Sequence, residues 1–153
     1  MSVQLQEYTG AQLAAQPIGY WSDVTAKAVL TRIRAELAEE RLAQPHWWTL
    51  NHVAGSPGAW QRGGLAARLR EFAEPGVDFE AVFDELLARG WITETSGGLT
   101  LTAEGEAGRQ RARERLARAH ERIHQGIPST EYAVAVNVMR RMVVNLGGNG
   151  DLP

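Results

Sequence analysis

Three groups of side chains in this sequence have the types and spacing to do chemistry. His120-Glu121-Arg122-Ile123-His124 matches the H-E-x-x-H pattern. Two imidazoles four residues apart share one helix face and can hold a metal ion while the glutamate acts as a base. The pattern stops short of a site. Arg122 puts a charge between Glu121 and the second histidine, and only Gln125, Gly126, Ile127 and Pro128 follow where a third ligand is needed. No Ser-His-Asp order, phosphate loop or dinucleotide glycine pattern is visible either. The expectation is a non-enzyme without catalytic residues, metal or cofactor.

The second group is aromatic. Tyr20, Trp21, His46, Trp47, Trp48 and His52 cluster in sequence. Aromatic walls with a few polar groups suit a flat ligand; ordinary core packing is the competing account, and the stronger one for Trp47. The third group is cationic. Arg62, Arg68, Arg70 and Arg89 can grip phosphates, or can simply balance the acids around them.

Charge along the chain restricts these options. The 153 residues carry a net charge of −2, so nucleic-acid affinity requires a local basic patch. Residues 60–75 hold three Arg and two Glu, residues 76–102 one Arg and five acids, and residues 103–125 six Arg and four Glu. The last run reads as a solvated helix laced with pairs such as Glu114–Arg118. The absence of cysteine excludes disulfides, thiolate zinc sites and thiol redox sensing. No apolar stretch approaches a membrane span, and the opening residues lack a basic segment followed by an apolar run. A cytoplasmic protein with no membrane partner is expected.

The elements that must position these groups follow from periodicity. Residues 1–16 read as a loose or partly helical arm. Val24, Ala28, Ile33 and Leu37 mark a long amphipathic helix from Ile18 to about Leu42. Pro45 opens a second helix, which ends near Gly55. A third runs from about Gln61 to Ala73, with Leu65, Leu69 and Phe72 on one face. Asp78 caps a fourth, whose Phe79, Val82, Phe83, Leu86 and Leu87 form an apolar stripe ended by Gly90. Trp91-Ile92 and Leu99–Leu101 then pair as a hairpin around Gly97-Gly98. Thr102 caps a fifth helix with a narrow seam of Ala112, Leu116, Ala119 and Ile123. A last helix from about Thr130 to Leu146 carries Ala135, Met139, Met142 and Leu146 on one side. The glycine-rich tail, 147–153, reads as disordered. The fold class is mainly α with a small β-hairpin: a winged helix-turn-helix (residues 44–102) joined to a helical dimerisation region (17–42, 103–126 and 129–146) in one domain, 17–146.

Several segments resemble the MarR family of transcriptional regulators. They are Pro45-His46-Trp47 at the second helix, Leu65-Ala66-Ala67-Arg68-Leu69 in the third, Leu86-Leu87-Ala88-Arg89-Gly90-Trp91-Ile92 leading into the wing, and Leu101-Thr102-Ala103-Glu104-Gly105 leaving it. The resemblance covers Ile18 to Leu146. It implies a homodimer paired through the first, fifth and sixth helices, duplex DNA with a palindromic operator as partner, and a small-molecule effector, often aromatic. DNA contacts are then expected from Arg62, Arg68, Arg70, Thr95 and Ser96. The ligand pocket is expected at Tyr20, Trp21, His46, Trp48 and His52.

The chain departs from the family's pattern at two places. The exposed face of the reading helix is Asp78, Glu80, Ala81, Asp84, Glu85 and Ala88, where the family usually carries Ser, Thr, Arg or Asn. The wing tip has no arginine. Carboxylates oppose phosphate contact, so the alternative is a winged-helix interaction or ligand-sensing module that has lost DNA binding.

Overall fold

A computed structural model describes residues 5–152. Its elements in order are α1 (Gly10–Ala14), α2 (Ile18–Ala38), α3 (Gln44–Gly55), α4 (Arg62–Arg70), α5 (Phe79–Ala88), β1 (Ile92–Thr95), β2 (Gly98–Leu101), α6 (Ala103–Ile123) and α7 (Ser129–Asn145). The expected order is present. The expected arm contains α1, where Thr9 Oγ1 accepts from the Gln12 amide; its first four residues lie outside the described residues.

The centre of the fold is α5, lying on α3 and α4. Its inward stripe is Phe79, Val82, Phe83 and Leu86, all buried. Each such side chain contributes about 2 kcal/mol by leaving water. Asp78 accepts from the Ala81 amide at one end. At the other, Gly90 takes φ +69° while the Gly90 and Trp91 amides bond the Leu87 and Leu86 carbonyls. That double closure needs a left-handed residue, which glycine supplies without a side-chain penalty.

The wing is a two-stranded antiparallel hairpin pairing Ile92 with Leu101 and Thr95 with Gly98. Its turn is therefore Ser96-Gly97, one residue earlier than the spacing predicts. A further pairing was not legible in the sequence. Leu99 exchanges backbone hydrogen bonds with Gly58 and Trp60, so the 58–60 segment extends the hairpin at its base.

The stem is α2 lying along α6. The predicted seam of α6 is used within the chain: Ala112, Leu116 and Ala119 are buried, and Ala112 and Leu116 belong to the same core as Leu37. Along α2 the inward positions are Leu30, Ile33 and Leu37, whereas Val24 and Ala28, read as part of that stripe, face outward. The helix also ends four residues before Leu42, because Arg41 turns left-handed at φ 53°. Likewise α4 stops at Arg70, which leaves Phe72 beyond the helix and 43% exposed.

α7 buries none of its residues and makes at most slight contact with the rest of the chain. Val134, Val138, Met139, Met142, Val143 and Leu146 are all exposed. Residues 147–150 are not the disordered tail expected. The Gly147 and Gly148 amides bond the Val144 and Val143 carbonyls, and Arg140 Nε donates to the Gly150 carbonyl.

Stem and winged helix meet at Trp91. A Cβ on Gly105 would lie 1.9 Å from the Trp91 carbonyl oxygen, and one on Gly108 would lie 2.3 Å from the indole ring. No side chain fits at either position, so the two glycines let α6 seat directly on the tryptophan. Gly108→Val is expected to lower unfolding free energy by about 3 kcal/mol through overpacking, while Ala107→Val at the exposed neighbouring position costs under about 1 kcal/mol. Thermal and denaturant unfolding of the two variants compares them.

Candidate nucleic-acid interface and ligand pocket

The acidic reading helix has a structural explanation. Glu80 and Asp84 stand four residues apart on α5, an arrangement that is mutually repulsive. Arg62, the first residue of α4, lies between them. Its Nη1 donates to Glu80 at 2.8 Å and to Asp84 at 2.9 Å, and its Nε donates to Glu94 of the wing at 2.8 Å. Hydrogen bonds from Glu80, Glu94 and Asp84 hold the Arg62 guanidinium above its ordinary pKa. One cation thus ties the α4 start, the reading helix and the wing together.

The other two acids are also engaged. Asp78 caps α5. Glu85 receives a 2.7 Å hydrogen bond from His46 Nε2, while His46 Nδ1 accepts from the Ala43 amide at the start of α3. That second bond places the ring proton on Nε2. Every carboxylate on the exposed face of α5 therefore has a partner within the chain.

The residues expected at DNA are placed as follows. Arg62 is bonded to three carboxylates, the arrangement expected of the alternative in which it balances the acids around it. Arg68 pairs with Glu71 and lies over the Phe72 ring, with 5.6 Å between guanidinium carbon and ring centroid. Arg70 is exposed at the end of α4. Thr95 Oγ1 bonds the Gly97 amide and the Gly98 carbonyl, and the Ser96 carbonyl accepts from Gln61; both residues are exposed at the wing tip. Arg89 is not a surface charge. It donates to the Glu40 and Arg41 carbonyls, closing the end of α2, and stacks 4.0 Å over the Trp91 ring. Burial, followed by repulsion from Arg41, lowers its pKa.

The expected ligand residues separate. A cavity of about 470 Å³ opens between α2, α3 and the linker 71–77, within the range that takes drug-sized ligands. It is lined by Leu30, Trp48, Phe72 and Val77, with Arg34 and Glu74 among its polar residues. Of the predicted set only Trp48 belongs to it. Tyr20 and Trp21 pack edge to face with each other and remain about half exposed, 59% and 49%. His46 points to Glu85, and His52 stacks on Phe72 at 6.0 Å behind the wall. Trp47 packs on the core, as the competing account had it.

His120 and His124 lie with rings 6.3 Å apart, and His124 packs at a tilt on Tyr132 at 4.7 Å. Among the described residues no group of three or more His, Cys, Asp or Glu is placed to hold a metal ion. The arginines of α6 bind across helices. Arg111 and Arg115 meet Glu40, just past the end of α2, and Arg109 bonds Glu106 of its own helix and Asn51 of α3. No Glu114–Arg118 pair forms.

No family model and no curated protein matches the chain. Solved structures do. A MarR family transcriptional regulator from Rhodococcus sp. RHA1 is 26% identical, with TM-score 0.61, covering 84% of this chain and 91% of that one. The PcaV transcriptional regulator from Streptomyces coelicolor is 20% identical, with TM-score 0.69 and coverage of 86% and 98%. A Mycobacterium tuberculosis MarR family protein in complex with DNA is 23% identical, with TM-score 0.63 and coverage of 87% and 99%. That protein has also been solved with salicylic acid. This chain has the MarR fold. In that fold α5 and the β1–β2 wing form the winged helix, and α2 lies along α6 beside it.

Sequence reasoning missed Arg34, Glu74 and Glu94, and left Arg62 and Arg89 open between phosphate contact and balancing nearby acids. Their partners lie 18 to 49 residues away in the chain. No local spacing signals such a contact.

The Glu106–Arg109 pair sets one pH dependence. Hydrogen bonds from Arg109, then Gln110, hold the Glu106 carboxyl down to about 2 from an ordinary 4.5. A depressed carboxyl stabilises the fold above its unfolded pKa and loses that contribution as pH falls through the folded value. The Tm difference between wild type and Glu106→Gln is expected to be full at pH 7 and to shrink between about 4.5 and 2. It stays modest, because Glu106 is 42% exposed and solvent screens the pair. Melting curves at stepped pH check it.

Proposed function

We propose that this protein is a dimeric, DNA-binding transcriptional regulator whose affinity for DNA responds to a small ligand. The observation that carries the reading is the reading head itself: α5 shows one face to solvent beside a hairpin wing, on a fold matching a DNA-bound MarR protein over 87% of this chain. A palindromic operator follows from two such heads on a symmetric stem.

The dimer is supported by α7. A 17-residue helix with no buried residue is marginal in water on its own. Its exposed valines and methionines need a partner surface, and the outward Tyr20, Trp21 and Val24 of α2 offer more of the same. A second copy of this chain meets that need. Val138→Asp combined with Met142→Glu is expected to yield monomers in light scattering, with the winged helix still folded by circular dichroism. A wild-type monomer at micromolar concentration contradicts the dimer.

DNA contact in this reading comes from Arg70, Arg68, the wing-tip Thr95 and Ser96, and backbone amides, with α5 opposing it electrostatically. Affinity is therefore weak and best seen at low salt. On DNA from upstream of its own coding region, a gel shift is expected at micromolar protein. Glu80→Gln/Asp84→Asn should tighten binding about tenfold, since it removes two like charges and frees Arg62 for a phosphate.

One observation favours a second reading. Every acid on α5 is held by an internal partner and Arg62 is enclosed, so the face offers DNA no free side-chain donor. In this reading the MarR fold is kept as a ligand-sensing or interaction module without DNA binding. No shift from a confirmed dimer, for wild type and the neutralised variant alike, selects it.

A further inference from the structure

We propose that Arg89 is a positioning residue for the reading head: it clasps a strained turn just past the end of α2, and that clasp fixes the end of α5 against the stem. Its bearing on DNA recognition rests on the regulator reading above; the clasp itself does not.

The turn has no local cause in the sequence. Between Gly19 and Pro45 the chain holds neither glycine nor proline, and Ala38, Glu39, Glu40, Arg41 and Leu42 follow one another. A run dominated by Ala, Glu, Arg and Leu favours continuing a helix. Yet α2 ends at Ala38, and Arg41 turns left-handed at φ 53°. Two bonds close the end, from the Arg41 amide to the Ala38 carbonyl and from the Leu42 amide to the Leu37 carbonyl. The same pair of bonds closes α5 and α7, where the left-handed residue is Gly90 at φ 69° and Gly147 at φ 83°. Among the described residues Arg41 alone takes a positive φ without being glycine. A left-handed conformation brings its Cβ too close to a carbonyl oxygen, so the closure is strained and needs holding from outside.

Arg89 supplies a hold that comes from the reading head. Its Nη1 donates to the Arg41 carbonyl and its Nη2 to the Glu40 carbonyl, each at 2.9 Å. Two donors of one planar fork on adjacent carbonyls fix the direction of the guanidinium. Arg89 is itself the last residue of the α5 end, directly before Gly90, and its guanidinium lies over the Trp91 ring. One side chain thus joins the ends of two helices. Glu40 is the shared node: its carbonyl takes Arg89, while its carboxylate takes Arg111 at 3.0 Å and Arg115 at 3.3 Å from α6. The direction in which α5 leaves the stem is set there.

Amide exchange by NMR and dipolar distances on the full chain test the clasp without DNA. Arg89→Met keeps a long side chain to cover Trp91 but donates no hydrogen bond. It is expected to speed exchange of the Arg41 and Leu42 amides about tenfold, with Leu50 and Val53 of α3 unchanged. Spin labels at Lys27→Cys on α2 and Ala88→Cys on α5, diluted with unlabelled chain, should give a broader within-chain distance in the same variant. Adding Arg41→Gly relieves the strain. It should restore slow exchange but not the narrow distance, because the tie to α5 is still missing. Arg89→Lys keeps the charge without the fork. It should fall between Arg and Met in both readouts, and it carries the distance test where Arg89→Met does not fold. Arg41→Gly alone should slow Leu42 exchange about fivefold. Unchanged exchange or distance in the Arg89 variants, no restoration by Arg41→Gly, or no slowing in Arg41→Gly alone would each overturn the proposal. A chain that shows this pattern but never shifts DNA loses the regulator reading and keeps the clasp. A chain that shifts DNA without the pattern loses only the clasp.

Discussion

The seat of Trp91 on Gly105 and Gly108 is the contact on which the rest of the architecture depends. The tryptophan sits at the junction of the reading helix, the wing and the stem. Its carbonyl accepts from the Thr102 amide as α6 begins. Its ring is held between the glycine face of α6 and the Arg89 guanidinium, and Arg89 in turn bonds the Glu40 and Arg41 carbonyls just past the end of α2. Thr102 adds a second tie, donating to the Gly90 carbonyl while capping Gly105. A displacement of the stem is therefore passed to the wing through packed and hydrogen-bonded groups rather than absorbed in a loose joint.

Electrostatics shape the head in the opposite sense to an ordinary DNA reader. Four acids on one helix face would repel one another as well as phosphate. The chain neutralises that repulsion locally, with Arg62 serving two of them plus Glu94, His46 serving Glu85, and Asp78 spent on the cap. The charges hold the reading head together and leave it unsuited to strong phosphate contact. Elsewhere the same device joins the stem. Burial works against the charged form of Glu40, yet hydrogen bonds from Arg111 and Arg115 outweigh it and keep the carboxyl below its usual range. Charge in this protein mostly links one element to the next.

Local patterns in the sequence carried much of this. The stripe of α5, the Asp78 and Thr102 caps, the Gly90 terminus and the order helix, helix, hairpin, helix are all short-range signals, and the fold comparisons agree with the family resemblance they raised. The site was far less legible. Arg62 reads as a phosphate grip until Glu80, Asp84 and Glu94 are brought to it by folding. Trp48 lines a cavity, but Phe72, Arg34 and Glu74 join it from other elements, while Tyr20 and Trp21 point elsewhere. Val24 and Ala28 fit a helical stripe on paper, yet α2 meets α6 only along its later turns. Periodicity reports that a face is apolar; it does not report what covers that face, and for α7 nothing in the single chain does.

The central claim is that two copies of this chain share a stem and hold their reading helices at a spacing suited to adjacent turns of duplex DNA. The sequence has no cysteine, so Ala88→Cys at the exposed end of α5 gives one spin-label site per chain. Pulsed dipolar spectroscopy on that variant measures the separation directly. A single narrow distance population near one DNA turn, roughly 34 Å between helices before the label's own reach is added, is the predicted result. No dipolar coupling, or a spread without a preferred distance, would contradict it.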